Sequence, residues 1–557
     1  MRLWTIGWLA LLTSFLAACG DGGSTSDMLN VFVQPVAGNV VDGQERPAFP
    51  DEAQSLWISV TGDDDPWGRR IEVPISMRRA TLPSFGYGPG RQVTVRVVAH
   101  DDVAGDVVVS RGRTVPRKIL SGDAARSVNV FVSPTNSFSR PITPPEPGND
   151  PQPALIGVPE RVGATATLLF DGRILIAGGG SPSVTGGPGL TGPADLASVR
   201  ADAEIFDPEI GMFAPVEEMK TARAFHQAVR LPDGRVALIG GFESVAGAIK
   251  PSNSVELFDP AGGAFAATTD LPGGAGRAMF TAALASAGSD VIFLAGGYAD
   301  PAIASGYWDL YVPDVGAVGH GMLAGERARW NHTMTFLPGY RATTGNPGSP
   351  AFVLVGGEDV GGVVDYSEAY TGPIQTPDGL QMVLDEGAAG GIPGGGRTLH
   401  SSVFVPLQRI VYVIGGFTQK GLKAPTDRVD IFWEEHGAFN ASLSLTCDGG
   451  CPGEARGAAT AVLMDGNAIL IAGGYGANGQ PLSTTEVVME TVQTDPVSGD
   501  QYYTPVVVAD RTPSMIAARY GHLALFDATR RVFMVGGLAS PGTPVPQDVS
   551  AVYYNPE

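Results

Sequence analysis

A chain of 557 residues exceeds what one ordinary hydrophobic core organises, so two or more folding units are expected. Its 76 Gly, 44 Pro and 43% hydrophobic residues describe a turn-rich globular protein of the all-β class. With 36 basic against 57 acidic residues the formal net charge is -21, a sign that repels phosphate backbones and argues against nucleic acid as a partner.

The N-terminus carries a targeting pattern: Arg2, an apolar run from Leu3 to Leu16, then the small residues Ala17 and Ala18 before Cys19. The run is too short to span a bilayer as a mature helix. Leu16-Ala17-Ala18-Cys19 resembles the lipobox of bacterial lipoproteins, which implies cleavage after residue 18 and acylation of Cys19. On that resemblance residues 1–18 are a lipoprotein signal peptide and residues 19–27 a flexible Gly/Ser/Asp tether. Gly20 in place of the inner-membrane retention signal favours the outer membrane, so the expected location is the cell envelope, with the membrane as partner through the lipid anchor.

Residues 28–136 offer six short alternating runs. In the fourth, Val93, Val95 and Val97 alternate with Thr94 and Arg96, the period-two signature of a strand covered on one side. Six runs separated by Gly/Pro/Asp clusters predict a small N-terminal β-sandwich. Six prolines from Pro141 to Pro153 predict a polyproline-like linker over residues 137–153.

Residues 154–557 repeat. A Gly-Gly pair ends an apolar run seven times, at Gly178, Gly240, Gly296, Gly356, Gly415, Gly473 and Gly536 and the glycine after each. In the second unit Arg223-Ala-Phe-His226 opens a strand, Asp233-Gly234 turns it, Val236 to Ile239 returns it, and Val255 to Pro260 forms a third strand. The openings are Arg161, Arg223, Arg277, Arg329, Arg397, Arg456 and Arg519, with histidine three residues later at His226, His332, His400 and His522. Third strands carry Glu204, Glu256, Asp309, Glu368, Asp430 and Glu486, which are expected to pair with the arginines.

This pattern resembles the kelch repeat, from about Arg161 to the C-terminus, and implies a seven-bladed kelch-type β-propeller of the galactose oxidase-like superfamily. The last unit stops after its third strand, so Pro153 to Glu160 is expected to complete it and close the ring.

Because the arginines, histidines and acids recur at fixed repeat positions, they are expected to be structural, with no catalytic residue and no metal site among them. Cys447 and Cys451, in Cys-Asp-Gly-Gly-Cys, are expected to form a loop disulfide in an oxidising compartment. Copper-radical oxidases of the resembling superfamily need adjacent Tyr and His, whereas Gly521 separates Tyr520 from His522 here.

The long loops 180–202, 242–253, 417–428 and 475–484 fall on one face. The expectation is therefore a non-enzymatic binding or scaffold protein, without cofactor, holding a protein or glycan ligand there. The alternative is a periplasmic or surface sugar-modifying enzyme, such as a kelch-type epimerase or a galactose oxidase-like copper oxidase. Polar residues from several blades around one pocket would favour that alternative.

Overall fold

The computed structural model describes residues 28–556 apart from 37–39, 42–43, 46, 50–52, 63–64, 77–78, 84–91, 101–107, 119–125, 143–155, 158–160, 184–189, 273–275, 300–302, 325–326, 342–349, 378, 389, 447–452, 495–500, 509–512 and 548–549. The described chain is predominantly β, and none of its helices is long and apolar enough to cross a membrane.

The first unit is one continuous path of strands, in the order Asp65–Pro74, Ser55–Gly62, Gln92–His100, Val108–Arg113, Arg126–Pro134, Met28–Pro35 and Arg79–Pro83, with Arg117–Lys118 added beside Gln92–His100. The expected discrete sandwich of two separate sheets is thereby corrected. Arg126–Pro134 runs parallel to Met28–Pro35 along most of its length. Its last two residues, Ser133 and Pro134, then pair with Arg111 and Ser110, which joins both halves into one sheet. The alternation does set the buried side: Val93, Val95 and Val97 pack with Leu56, Ile58, Val130 and Val132.

Among the described residues seven antiparallel sheets of four or five strands follow, six of them built in chain order from the innermost strand outward. The inner strands are short: Thr165–Leu168, Gln227–Arg230, Thr281–Leu284, Thr333–Leu337, Ser401–Val405, Thr460–Leu463 and Leu523–Phe526. Each packs against the next, and the last packs against the first. Second strands such as Val236–Ile239 and Ile292–Ala295 are buried on both faces because neighbouring sheets cover them, which is why they are continuous apolar runs.

The paired glycines answer two demands at once. Gly240 and Gly241 have φ of 59° and 93°, and a Cβ on either would come within 2.6 Å of the Arg277 carbonyl oxygen or 2.7 Å of the Ala224 carbonyl oxygen. Just inside them, the residue two after each opening arginine also has positive φ: Gly163, Phe225, Met279, Asn331, Leu399, Ala458 and Gly521. These residues link sheet to sheet. Phe225 N donates to Gly163 O at 2.6 Å, Met279 N to Phe225 O at 3.0 Å, Asn331 N to Met279 O at 3.1 Å, Ala458 N to Leu399 O at 2.8 Å and Gly521 N to Ala458 O at 2.8 Å. Left-handed backbone at non-glycine residues costs free energy, and this run of inter-sheet hydrogen bonds offsets it.

The seventh sheet takes its outermost strand from upstream, as expected, but from a different segment. Ser137–Ser139 pairs with Ala551–Asn555, in the place expected for residues 153–160, of which only Ile156 and Gly157 are described. Asn555 fixes this join: its Nδ2 donates to Ser133 O at 2.8 Å, and its carbonyl accepts from Asn136 N at 2.8 Å.

Candidate functional site

The opening arginines are buried, and each is fixed by its own repeat unit. Arg161 lies 2.6 Å from Glu204, Arg223 lies 2.7 Å from Glu256 and Arg456 lies 3.4 Å from Glu486. Arg277 with Asp309, Arg329 with Glu368 and Arg397 with Asp430 are ion pairs of the same kind. Except in Arg277, the second Nη donates to the carbonyl of the first paired glycine, as Arg223 does to Gly240 at 2.9 Å and Arg456 to Gly473 at 2.8 Å. In the seventh sheet Val552 stands where the others carry an acid, and Arg519 donates to Gly536 O and Ser550 O. Burial lowers its pKa to about 10.

The four histidines cross sheet boundaries. Nε2 of His226, His332, His400 and His522 lies 2.8 to 2.9 Å from Oγ1 of Thr165, Thr281, Thr333 and Thr460 respectively, each on the preceding sheet. Where the next sheet lacks the histidine, the partner changes in step. Gln227 donates to Phe280 O at 2.7 Å and Ser401 to Ala459 O at 2.9 Å. Leu523, which makes no such bond through its side chain, meets a sheet with Ala164 at the histidine position. Burial drives all four imidazoles toward the neutral form, with His400 and His522 pushed down to about 3. Bases that weak are poor proton acceptors at neutral pH.

Among these strands lies a cavity of about 440 Å³, lined from six of the seven sheets and bounded by Thr165, Thr167, Gln227, Thr281, Asn331 and the imidazoles of His226, His332 and His400. A separate hollow of about 660 Å³ near Leu196 and Ile249 has no titratable side chain in its lining. Hydrogen-bonding groups converge on the first of these.

Asn331 connects this cavity to a buried carboxylate. Its Nδ2 lies 3.2 Å from both Glu358 Oε1 and Leu190 O, and Trp330 Nε1 donates to the same Glu358 oxygen at 3.1 Å. Glu358 follows a glycine pair, at the position that holds Phe242, Tyr298, Phe417, Tyr475 and Leu538 in other units, and its backbone pairs with Trp330. Burial raises its pKa, against the lowering effects of Asn331, Lys420 and Trp330. Tyr298 stacks edge-on to Trp330 at 5.3 Å, and Lys420 Nζ stands 5.3 Å over the Trp330 ring. Leu190 lies over the same end, against Gly521. Sequence reading missed Glu358; the signal available was one acid in a column of apolar residues.

The long loops expected to form a ligand face are mostly two-stranded hairpins, such as Phe242–Val245 with Ala248–Pro251 and Phe417–Gln419 with Lys423–Pro425. Cys19, Cys447 and Cys451 lie outside the described residues.

No family model matches the chain, and no curated protein does. Among solved structures, one that is similar is described as a novel fungal alcohol oxidase with catalytic diversity among the AA5 family, in complex with copper. Identity is 16%, the match covers 72% of this chain and 75% of that one, and the TM-score is 0.46. The expectation of a non-enzymatic binding or scaffold protein is corrected here. The polar convergence in this chain is a cavity between sheets instead of a face built from loops.

Copper does not fit the residues present. Among the described residues no three His, Cys, Asp or Glu side chains are grouped to hold a metal ion. The four repeat histidines each spend Nε2 on a threonine of a different sheet boundary, and Tyr520 is buried against Tyr475.

Proposed function

We propose that this chain is a sugar-modifying enzyme of the proton-transfer kind, an epimerase or mutarotase, built on a closed seven-bladed kelch-type propeller and working in the central cavity. The observation that carries this reading is the link from the cavity through Asn331 to Glu358, a carboxylate whose burial pushes its pKa toward the working range of an acid–base group. The histidines of the cavity wall hold neighbouring blades together and stay neutral. In this reading Glu358 is the proton-carrying group behind Asn331 of the cavity wall, Asn331 orients it, and Trp330 and Tyr298 exclude water around it. Anomer or epimer interconversion needs one group to give a proton and one to take it; a single carboxyl that alternates between its two forms serves both steps.

The test is anomer exchange of D-glucose and D-galactose, followed by polarimetry or exchange NMR with the purified protein. Acceleration that is lost in Glu358→Gln supports the reading; an uncatalysed rate with every aldose tried overturns it.

The proposal includes export and anchoring at Cys19 in the outer membrane, with the repeat arginines and acids as blade fasteners and a disulfide between Cys447 and Cys451. Cys19→Ser should release the protein from the membrane fraction.

A further inference from the structure

We infer that the central cavity takes an uncharged, hydroxyl-rich ring of monosaccharide size and rejects sugars that carry a carboxylate; this rests on the reading of the cavity as a sugar site. The lining contains no Asp, Glu, Lys or Arg. The cations nearest in the repeat are already committed: Arg161, Arg223 and Arg329 each hold an acid and a glycine carbonyl of their own blade. A sugar carboxylate entering here would leave water with no counter-ion in the lining to replace it. The protein's net charge of -21 adds a long-range repulsion of the same sign.

What the wall does offer is neutral and two-handed. A threonine hydroxyl can make up to three hydrogen bonds, one as donor and two as acceptor. Thr165 and Thr281 each use one on an imidazole, whichever partner donates. Gln227 spends one amide N–H on Phe280 O and is itself part of the lining. Sugar hydroxyls, which also donate and accept, match such a wall, whereas a carboxylate only accepts. A volume of about 440 Å³ falls in the range of small-molecule sites. Leu523 is the one apolar side chain at the first inner-strand position, where the other blades carry Thr165, Gln227, Thr281, Thr333, Ser401 and Thr460.

The experiment is calorimetric or ligand-observed NMR binding of D-glucose and D-galactose beside D-glucuronate and D-galacturonate at pH 7. The neutral sugars should bind at least about ten-fold more tightly than the uronates, a ratio worth about 1.4 kcal/mol. Uronates binding equally well, or no neutral hexose binding, would overturn the inference. The T165V/T281V double variant should weaken hexose binding about ten-fold and also lower the melting temperature, since His226 and His332 lose their partners; undiminished affinity in the folded variant would count against the inference. If that variant does not fold, Leu523→Thr supplies the test in the opposite sense, since an added hydroxyl should tighten binding and no gain would contradict it. Hexose binding without interconversion sinks the enzymatic reading alone, while faster interconversion of uronates sinks this inference alone.

Discussion

His400 Nε2 lies 2.9 Å from Thr333 Oγ1, across the boundary between two successive sheets. The pair joins strands that share no ladder hydrogen bond, and the imidazole is held neutral by burial.

That neutrality predicts an acid limit to stability. The folded pKa of His400 and His522 is about 3, against 6.5 for a free imidazole. Between those values the unfolded chain binds more protons, so the stabilisation is complete above pH 6.5 and is lost as pH falls toward 3. Each histidine contributes a slope of up to about 1.4 kcal/mol per pH unit. His400→Ala should lower stability at pH 7 and also flatten the decline between pH 6.5 and 4.5, as measured by urea unfolding. An unchanged slope would show that the ring protonates in the folded state.

The Arg223 and Glu256 pair predicts a large loss from a small change. Both side chains are almost wholly buried, and Glu256 also accepts from the backbone N–H groups of Lys220 at 2.6 Å and Thr221 at 2.9 Å. Glu256→Gln leaves a buried guanidinium without its counter-charge and should cost about 3 kcal/mol. Asp171→Asn, at the partly exposed pair with Arg173, should cost at most about 0.5 kcal/mol. Equal effects in chemical denaturation would refute the distinction.

Glu358 predicts that activity and stability move apart. Its folded pKa is raised, so the folded state holds the proton more firmly and stability declines as pH climbs past the ordinary carboxylate range. Glu358→Gln removes the charge that burial penalises and should melt at the same temperature or higher at pH 7. The same variant should lose about 100-fold in sugar interconversion, the lower end of what a positioned acid–base group contributes. A variant that loses both together would mark Glu358 as a fastener.

Phe138 predicts how far the seventh sheet depends on the upstream segment. Its ring is fully buried, 5.2 Å from that of Tyr554, on a strand of only three residues. Phe138→Ala should cost about 3 kcal/mol or more. Limited proteolysis should then cut first within residues 551–555; protection equal to the native protein would exclude the dependence.

Much of the repeat was legible because its demands are local. Asp233-Gly234 turns a hairpin, Gly234 taking φ of 93°, and Gly240-Gly241 stands where no side chain fits. The seam was half legible: the histidine column is visible in the sequence, but its threonine partners lie about sixty residues upstream, and threonine on a strand carries no distinguishing signal. Phe225, Met279 and Leu399 gave no hint of left-handed backbone, since only inter-sheet hydrogen bonds impose it. Ser137–Ser139 was hidden by the prolines around it, which make a linker the natural reading of residues 137–153. The first unit's alternation was plain, but whether two half-sheets fuse depended on Ser133 and Pro134, two pairings that no periodicity encodes.

The contact between Asn555 and Ser133 joins residues 422 positions apart, so its partners emerge from the ribosome far apart in time. The outermost strand of the seventh sheet is therefore made long before the strand it pairs with and must wait, unpaired, while the six other sheets are synthesised. Contacts so distant in sequence form slowly, and an exposed strand edge in the meantime invites association with other chains. Recovery of native protein from denaturant should accordingly depend on dilution and on holdase chaperones, and once that final strand has docked, spontaneous opening should be rare.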